Sequence, residues 1–133
     1  MKLVADTNIY ISAFLWGGKP KELLERAIEG KEQLFISRPI KDEIFEVLKR
    51  PNFKVEEYSI ELLMKEVEDI SELVIVNERI EHLCRDVDDN MIIECALAAR
   101  ADYIITGDKD LLDLKIYRKI KILRVAEYLG LIS

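Results

Sequence analysis

Short apolar runs alternate with longer helix-like stretches along the whole chain, and few folds accommodate that rhythm. The first run, Lys2 to Ala5, stops abruptly at Asp6 and reads as a buried strand. A helix is expected from about Thr7 to Leu15, broken by Gly17 and Gly18. Pro20 fits the first turn of a second helix, which ends near Gly30. Leu34 to Ile36 reads as the second strand, and Ser37 can cap a helix with Pro39 in its first turn. That helix runs to about Lys49 and stops before Pro51. Another helix is expected from about Val55 to Ile70, then a strand over Leu73 to Val76. A stretch rich in Ala, Ile and Leu, Asp89 to Arg100, reads as a buried helix leading into a fourth strand, Tyr103 to Thr106. Gly107 allows a tight turn there. Lys121 to Val125 is the fifth strand, and Ala126 to Leu129 a short closing helix. Strands separated by helices imply a parallel sheet covered on both faces. The loops are short and no linker or repeat interrupts the pattern, so residues 1–133 are expected to form a single domain.

Half of the 133 residues are apolar, enough for a real core. No apolar run approaches the roughly 20 residues that span a bilayer. The stretch before Asp6 is too short for a signal peptide. Cys84, Cys95 and the lone His82 do not add up to a zinc cluster, and Cys95 reads as a small core residue. A reduced, cytoplasmic protein is expected. The net charge of −6 argues mildly against nucleic-acid binding through counterion release alone. It does not exclude such binding, because acids gathered at one metal site lower the net charge without touching a binding rim.

Most of the 26 acids must be solvated surface, so the informative ones sit where a surface role is strained. Asp6 ends an apolar strand, and ligands of open parallel sheets gather at the carboxyl ends of strands. Asp108 lies just past the end of the fourth strand and can share that edge. Asp89 begins the buried helix. Each of the three could equally cap a helix. Glu43 is different. Ile40, Ile44 and Val47 make one apolar helix face, and Glu43 borders it at about 60° from Ile40 while Asp42 and Glu46 point away. An acid beside a core is costly unless it is paired or bound to a cation. Four acids from four elements at one edge would repel one another, and a hard divalent ion is the simplest compensation. With no His or Cys beside them, Mg²⁺ or Mn²⁺ suits the set and zinc does not. Past the fourth strand, Lys109 to Leu112 is expected to form one helical turn with Leu111 and Leu112 inward and Asp113 solvated.

Three stretches carry a resemblance to a known family. Asp6-Thr7-Asn8 resembles the opening motif of PIN domains, and Ser37 to Glu43 resembles their second acidic motif. Asp86-Val-Asp-Asp89-Asn90, with Ile93 to Leu112 after it, resembles the third and fourth and is the most specific part. The likeness runs from Lys2 to about Leu129. It is nearest to the bacterial and archaeal group described as toxin components of toxin–antitoxin systems, relatives of VapC toxins. The resemblance implies a three-layer α/β/α sandwich with a five-stranded parallel sheet. It implies endonucleolytic cleavage of RNA dependent on Mg²⁺ or Mn²⁺. By position, Asp6, Glu43, Asp89 and Asp108 match the family's catalytic and metal-binding quartet. Asn8 and Thr106 match supporting polar residues, and Asp110 stands as an extra acid. The resemblance also implies a homodimer and a cognate antitoxin protein as partner.

Two rivals stand beside this reading. A haloacid-dehalogenase-like phosphatase also opens with a strand ending in Asp, but it needs a second Asp two places on, where this chain has Asn8. A catalytically inactive PIN-like scaffold is the other, and the intact quartet argues against it. Dinucleotide binding lacks support, since no glycine pattern follows the first strand.

Overall fold

A computed structural model describes residues 1–80 and 87–132. His82, Cys84 and Asp86 lie outside the described residues. The elements run β1 (Lys2–Ala5), α1 (Thr7–Leu15), α2 (Gly18–Ile28), β2 (Gln33–Ser37), α3 (Arg38–Leu48), a 3₁₀ turn (Pro51–Phe53), α4 (Glu57–Ile70), β3 (Ser71–Val74), α5 (Val87–Ala99), β4 (Tyr103–Ile105), α6 (Lys109–Leu114), β5 (Ile116–Tyr117), β6 (Ile120–Leu123) and α7 (Val125–Ile132).

One sheet forms in the order β3-β2-β1-β4-β6-β5. The five strands β3, β2, β1, β4 and β6 pair in parallel, as the alternation demands. A sixth strand, β5, joins β6 antiparallel, so the sheet is mixed at one edge. It was not expected because it is only two residues long and joins β6 through Arg118-Lys119, without the Asn-Gly or Asp-Gly signal of a tight hairpin. β3 lies two residues earlier than Leu73 to Val76: it follows α4 with no loop and pairs Ser71 to Val74 against Leu34 to Ser37. The start of β3 thus comes from its partner strand, which its own apolar residues do not reveal.

Adjacent residues of the central strands are buried alike: Leu3, Val4 and Ala5 on β1, Ile104 and Ile105 on β4. Successive side chains point to opposite faces, so both faces of the sheet are covered and the architecture is the layered α/β sandwich. α5 has Ile92, Ile93, Cys95, Ala96 and Ala99 buried, and its small residues let it lie close against β1 and β2. Burying each large aliphatic side chain is worth about 1.5–3 kcal/mol. Among the described residues, no helix is long and apolar enough to cross a membrane.

Two ends of this scaffold differ in backbone character. At the carboxyl edge α1, α3 and α6 begin directly after strands or one short turn. At the amino edge, three non-glycine residues adopt left-handed φ: Arg100 at 52°, Arg118 at 46° and Lys119 at 75°. Arg100 follows α5 in the place glycine usually takes, with Ala101 N–H donating back to Ala96 O at 3.0 Å. Arg118 and Lys119 are the two central residues of the β5–β6 turn. An L-residue pays about 1–2 kcal/mol at each such position.

Candidate functional site

Register places the first two site residues side by side. Ala5 lies opposite Ile105 across the β1–β4 pair, so Asp6 and Thr106 are the next residues out at the carboxyl edge. Asp6 N–H continues the ladder to Ile105 O at 2.9 Å. The fully buried Thr106 hydroxyl then donates to Asp6 Oδ2 at 2.6 Å and accepts from Asp108 N–H at 3.0 Å. This hydroxyl makes the turn after β4. Gly107 does not take a left-handed φ, and a Cβ added there would meet nothing within 4 Å, so glycine freedom is not what the turn needs.

Asp6 and Asp108 each cap a helix as well. Asp6 Oδ1 accepts from Asn8 N–H at 3.4 Å at the start of α1. Asp108 Oδ1 accepts from Asp110 N–H at 2.9 Å and Leu111 N–H at 3.2 Å at the start of α6. Capping and a site role are therefore not alternatives at these two positions. Asp89 does not begin α5. The helix starts at Val87, which puts Asp89, largely buried, in the first turn. A crossover helix runs back against its parallel strands, so the start of α5 reaches the carboxyl edge and its end the amino edge. Ser37 occupies the N-cap place of α3, but its hydroxyl makes no capping bond and lies beside the Cys95 thiol instead. α6 is longer than one turn, and of its two leucines Leu111 is fully buried while Leu112 is only half-buried.

A polar pocket of about 170 Å³ opens at this edge, lined by Asp6, Asn8, Glu43, Asp89 and Asp108 together with Val47, Arg50 and Ile92. Four acids from four elements thus converge. Glu43 is half-buried, whereas Asp42 and Glu46 are exposed, as the helical wheel requires. Carboxylate oxygens of Asp89, Asp108 and Asp110 lie within 4.8 Å of one another, close enough to share one cation. Asp110 therefore belongs with the acids of the site by geometry, nearer than an extra acid in a first helical turn would suggest. Asp113 is exposed and pairs with Lys109 at 3.8 Å. Burial raises the Asp6 carboxyl above its ordinary value; the hydrogen bonds from Thr106 and Asn8 pull it down, and the Asp108 charge pushes it up again. A divalent cation answers both burdens, since it offsets the desolvation of Asp6 and the repulsion from Asp108. The all-oxygen donor set fits Mg²⁺ or Mn²⁺.

Arg50 was not foreseen. Its signal was present: Glu43, Val47 and Arg50 follow at spacings of four and three, which put them on one face of α3 and its end. A charged residue just before Pro51 reads more readily as a helix terminus than as a pocket wall.

The parallel sheet, the crossover helices and the acids at one carboxyl edge define a class, the acid-centred α/β sandwich. Residues 2–110 match the sequence model of the PIN domain, and the chain belongs to the PIN domain family. That membership sets aside the phosphatase-like reading. The fold is similar to a chain in the crystal structure of VapBC2 from Rickettsia felis bound to a DNA fragment from their promoter. The TM-score is 0.67 at 14% identity, over 92% of this chain and 97% of that one. No curated protein matches the chain in sequence.

Proposed function

We propose that the protein is a metal-dependent endoribonuclease and the toxin of a toxin–antitoxin pair. The observation that carries the chemistry is the convergence of Asp6, Glu43, Asp89 and Asp108 on one small polar pocket, with Asp110 beside Asp89 and Asp108. Asp89, Asp108 and Asp110 would hold Mg²⁺ or Mn²⁺, with Asp6 and Glu43 completing the acidic wall. Such a cation supplies Lewis-acid stabilisation of phosphodiester oxygens and a more acidic water. The chain's own residues divide the remaining work. Thr106 holds Asp6 by Oδ2 and the Asn8 N–H holds it by Oδ1, which fixes the carboxylate at the pocket, where it can take a proton from the attacking water. Arg50 brings a positive charge to the pocket wall, where it can bind the non-bridging oxygens of the phosphate being cut. Asn8 and Thr106 orient Asp6 through backbone and hydroxyl bonds.

RNA as the substrate rests on family membership. The toxin role, the antitoxin partner and the homodimer rest on the resemblance to VapC-like toxins and on the fold shared with a VapBC2 chain. The deciding experiment is cleavage of a panel of single-stranded and structured RNAs in Mg²⁺, in Mn²⁺ and in excess EDTA. We expect products with either ion and none in EDTA. Equal cutting in EDTA would refute metal dependence, and no cutting of any RNA with either ion would leave the scaffold reading in its place.

A further inference from the structure

A second cavity, about 520 Å³, lies at the opposite edge of the sheet. Asp102 and Tyr103 from the start of β4 line it, as do Arg100, Arg118, Lys119 and Lys121. It is roughly 15 Å from the acidic pocket, at about 3.3 Å per strand residue. Four cations around one cavity are unexpected in a chain of net charge −6. Arg118 is engaged, with its guanidinium 2.8 Å from Glu78 and over the Tyr117 ring. Asp102 is engaged too, accepting from Lys2 N–H at 2.8 Å. Arg100, Lys119 and Lys121 are exposed and make no ion pair among the described residues.

The backbone places these cations in an uncommon way. Three of the four cations, Arg100, Arg118 and Lys119, stand at left-handed φ, where glycine or asparagine would relieve strain. At Arg100 the dipole of α5 favours a cation at the helix end, but Arg118 and Lys119 fill the two central places of a tight hairpin turn that glycine or asparagine would serve with less strain. Lys54 and Lys115 take left-handed φ elsewhere, so the conformation is not peculiar to the cavity; what is particular is that three of the five such non-glycine residues, all basic, line it together. The cavity also has apolar surface. Tyr103 lines it, fixed edge-on against Tyr128 at 5.1 Å, and Leu97 and Ile120 stand beside it. Cations over an apolar wall with an aromatic ring suit a phosphate attached to a base, and the volume falls in the range of ligand pockets.

We propose that this cavity binds a nucleoside phosphate, either a free nucleotide or one unit of an RNA strand, separately from the acidic pocket. The test is fluorescence anisotropy of a short 5′-phosphorylated single-stranded RNA, in EDTA, with adenosine monophosphate as competitor. Wild-type protein should bind the RNA with an affinity that falls as salt rises. The double variant Arg100→Gly/Lys119→Gly should melt no lower than wild type, because glycine relieves both left-handed positions. It should bind at least tenfold more weakly, with a shallower salt dependence. Arg100→Lys, which keeps the charge, should stay within about threefold of wild type. Displacement of the RNA by the mononucleotide would identify the free nucleotide as sufficient. Binding without displacement would identify the strand as the source of the phosphates. RNA binding by the glycine double variant within twofold of wild type overturns the proposal, and so does an absence of salt-dependent binding by wild type. Working in chelator keeps this result separate from cleavage, so failure here leaves the nuclease reading standing and failure there leaves this one.

Discussion

Three acids after β4 illustrate how position along one short helix sets the role of a side chain. Asp108 caps α6 through Oδ1 and shares a possible cation position with Asp89 and Asp110, while Asp113 pairs with Lys109 in solvent. Asp108→Asn keeps an oxygen for the cap and removes only charge, so the fold should persist while RNA cleavage falls by about 10²–10³. Asp110→Asn should fall in the same direction and by at least about tenfold. Asp113→Asn should be near neutral. Cleavage rates at fixed Mn²⁺ rank the three, and a damaging Asp113→Asn would contradict the assignment. Thr106 offers a sharper contrast, because its hydroxyl joins Asp6 to the Asp108 backbone inside the protein. Thr106→Val keeps the shape and leaves both partners unmet, a cost of about 1–3 kcal/mol in chemical denaturation. Thr106→Ser should recover much of it.

At the scale of elements, α5 carries both ends of the molecule: Asp89 in its first turn at the acidic edge and Arg100 just past its last residue at the basic edge. Its middle is sealed. Cys95 is a free, fully buried cysteine, and burial pushes its thiol up to about 12 from 9.0. The folded state therefore favours the neutral thiol. The stability this contributes is complete below pH 9.0 and is lost as pH rises towards about 12. Cys95→Ala should accordingly show a flatter decline in unfolding free energy above pH 9 than wild type, measured by urea titration. An equally steep decline would place the alkaline loss elsewhere, for instance at buried Tyr10. The elements themselves were legible because apolar runs of four or five residues have few other uses. Asp6, Asp89 and Asp108 were legible because each adjoins such a run, and Glu43 because a helical wheel isolates it. β5 was not, since two residues carry no period, and neither was the reach of Arg50, which depends on where α3 ends relative to the pocket. The gathering of Asp110 with Asp89 needed the turn geometry that Thr106 supplies.

For the molecule as a whole, the acidic edge is a source of instability that a ligand can remove. Asp6 is buried beside the charge of Asp108. In EDTA, Asp6→Asn should therefore melt higher than wild type. With saturating Mn²⁺ the order should reverse, because a cation that binds only the folded state adds about 2.7 kcal/mol at a hundred times its dissociation constant. Scanning calorimetry of both proteins in both conditions reads the crossing; an equal Mn²⁺ gain in the variant would count against Asp6 as part of the site. The assembly expected of a toxin is equally open to measurement. Light scattering at tens of micromolar should give twice the chain mass, and a monomer at that concentration would remove the homodimer from the proposed function.

Asp6 and Asp108 each hold the first turn of a helix while facing the pocket, and this double attachment constrains how the sequence can drift. A descendant released from catalysis would still need a short oxygen-bearing side chain at both places, so substitution there should narrow to Asn, Ser or Thr. Glu43 lies inside α3, away from its cap, and carries no such obligation. In a decaying lineage it should vary sooner than Asp6 and Asp108, and an Ala at 43 beside Asn at 6 and 108 would be the signature of retirement.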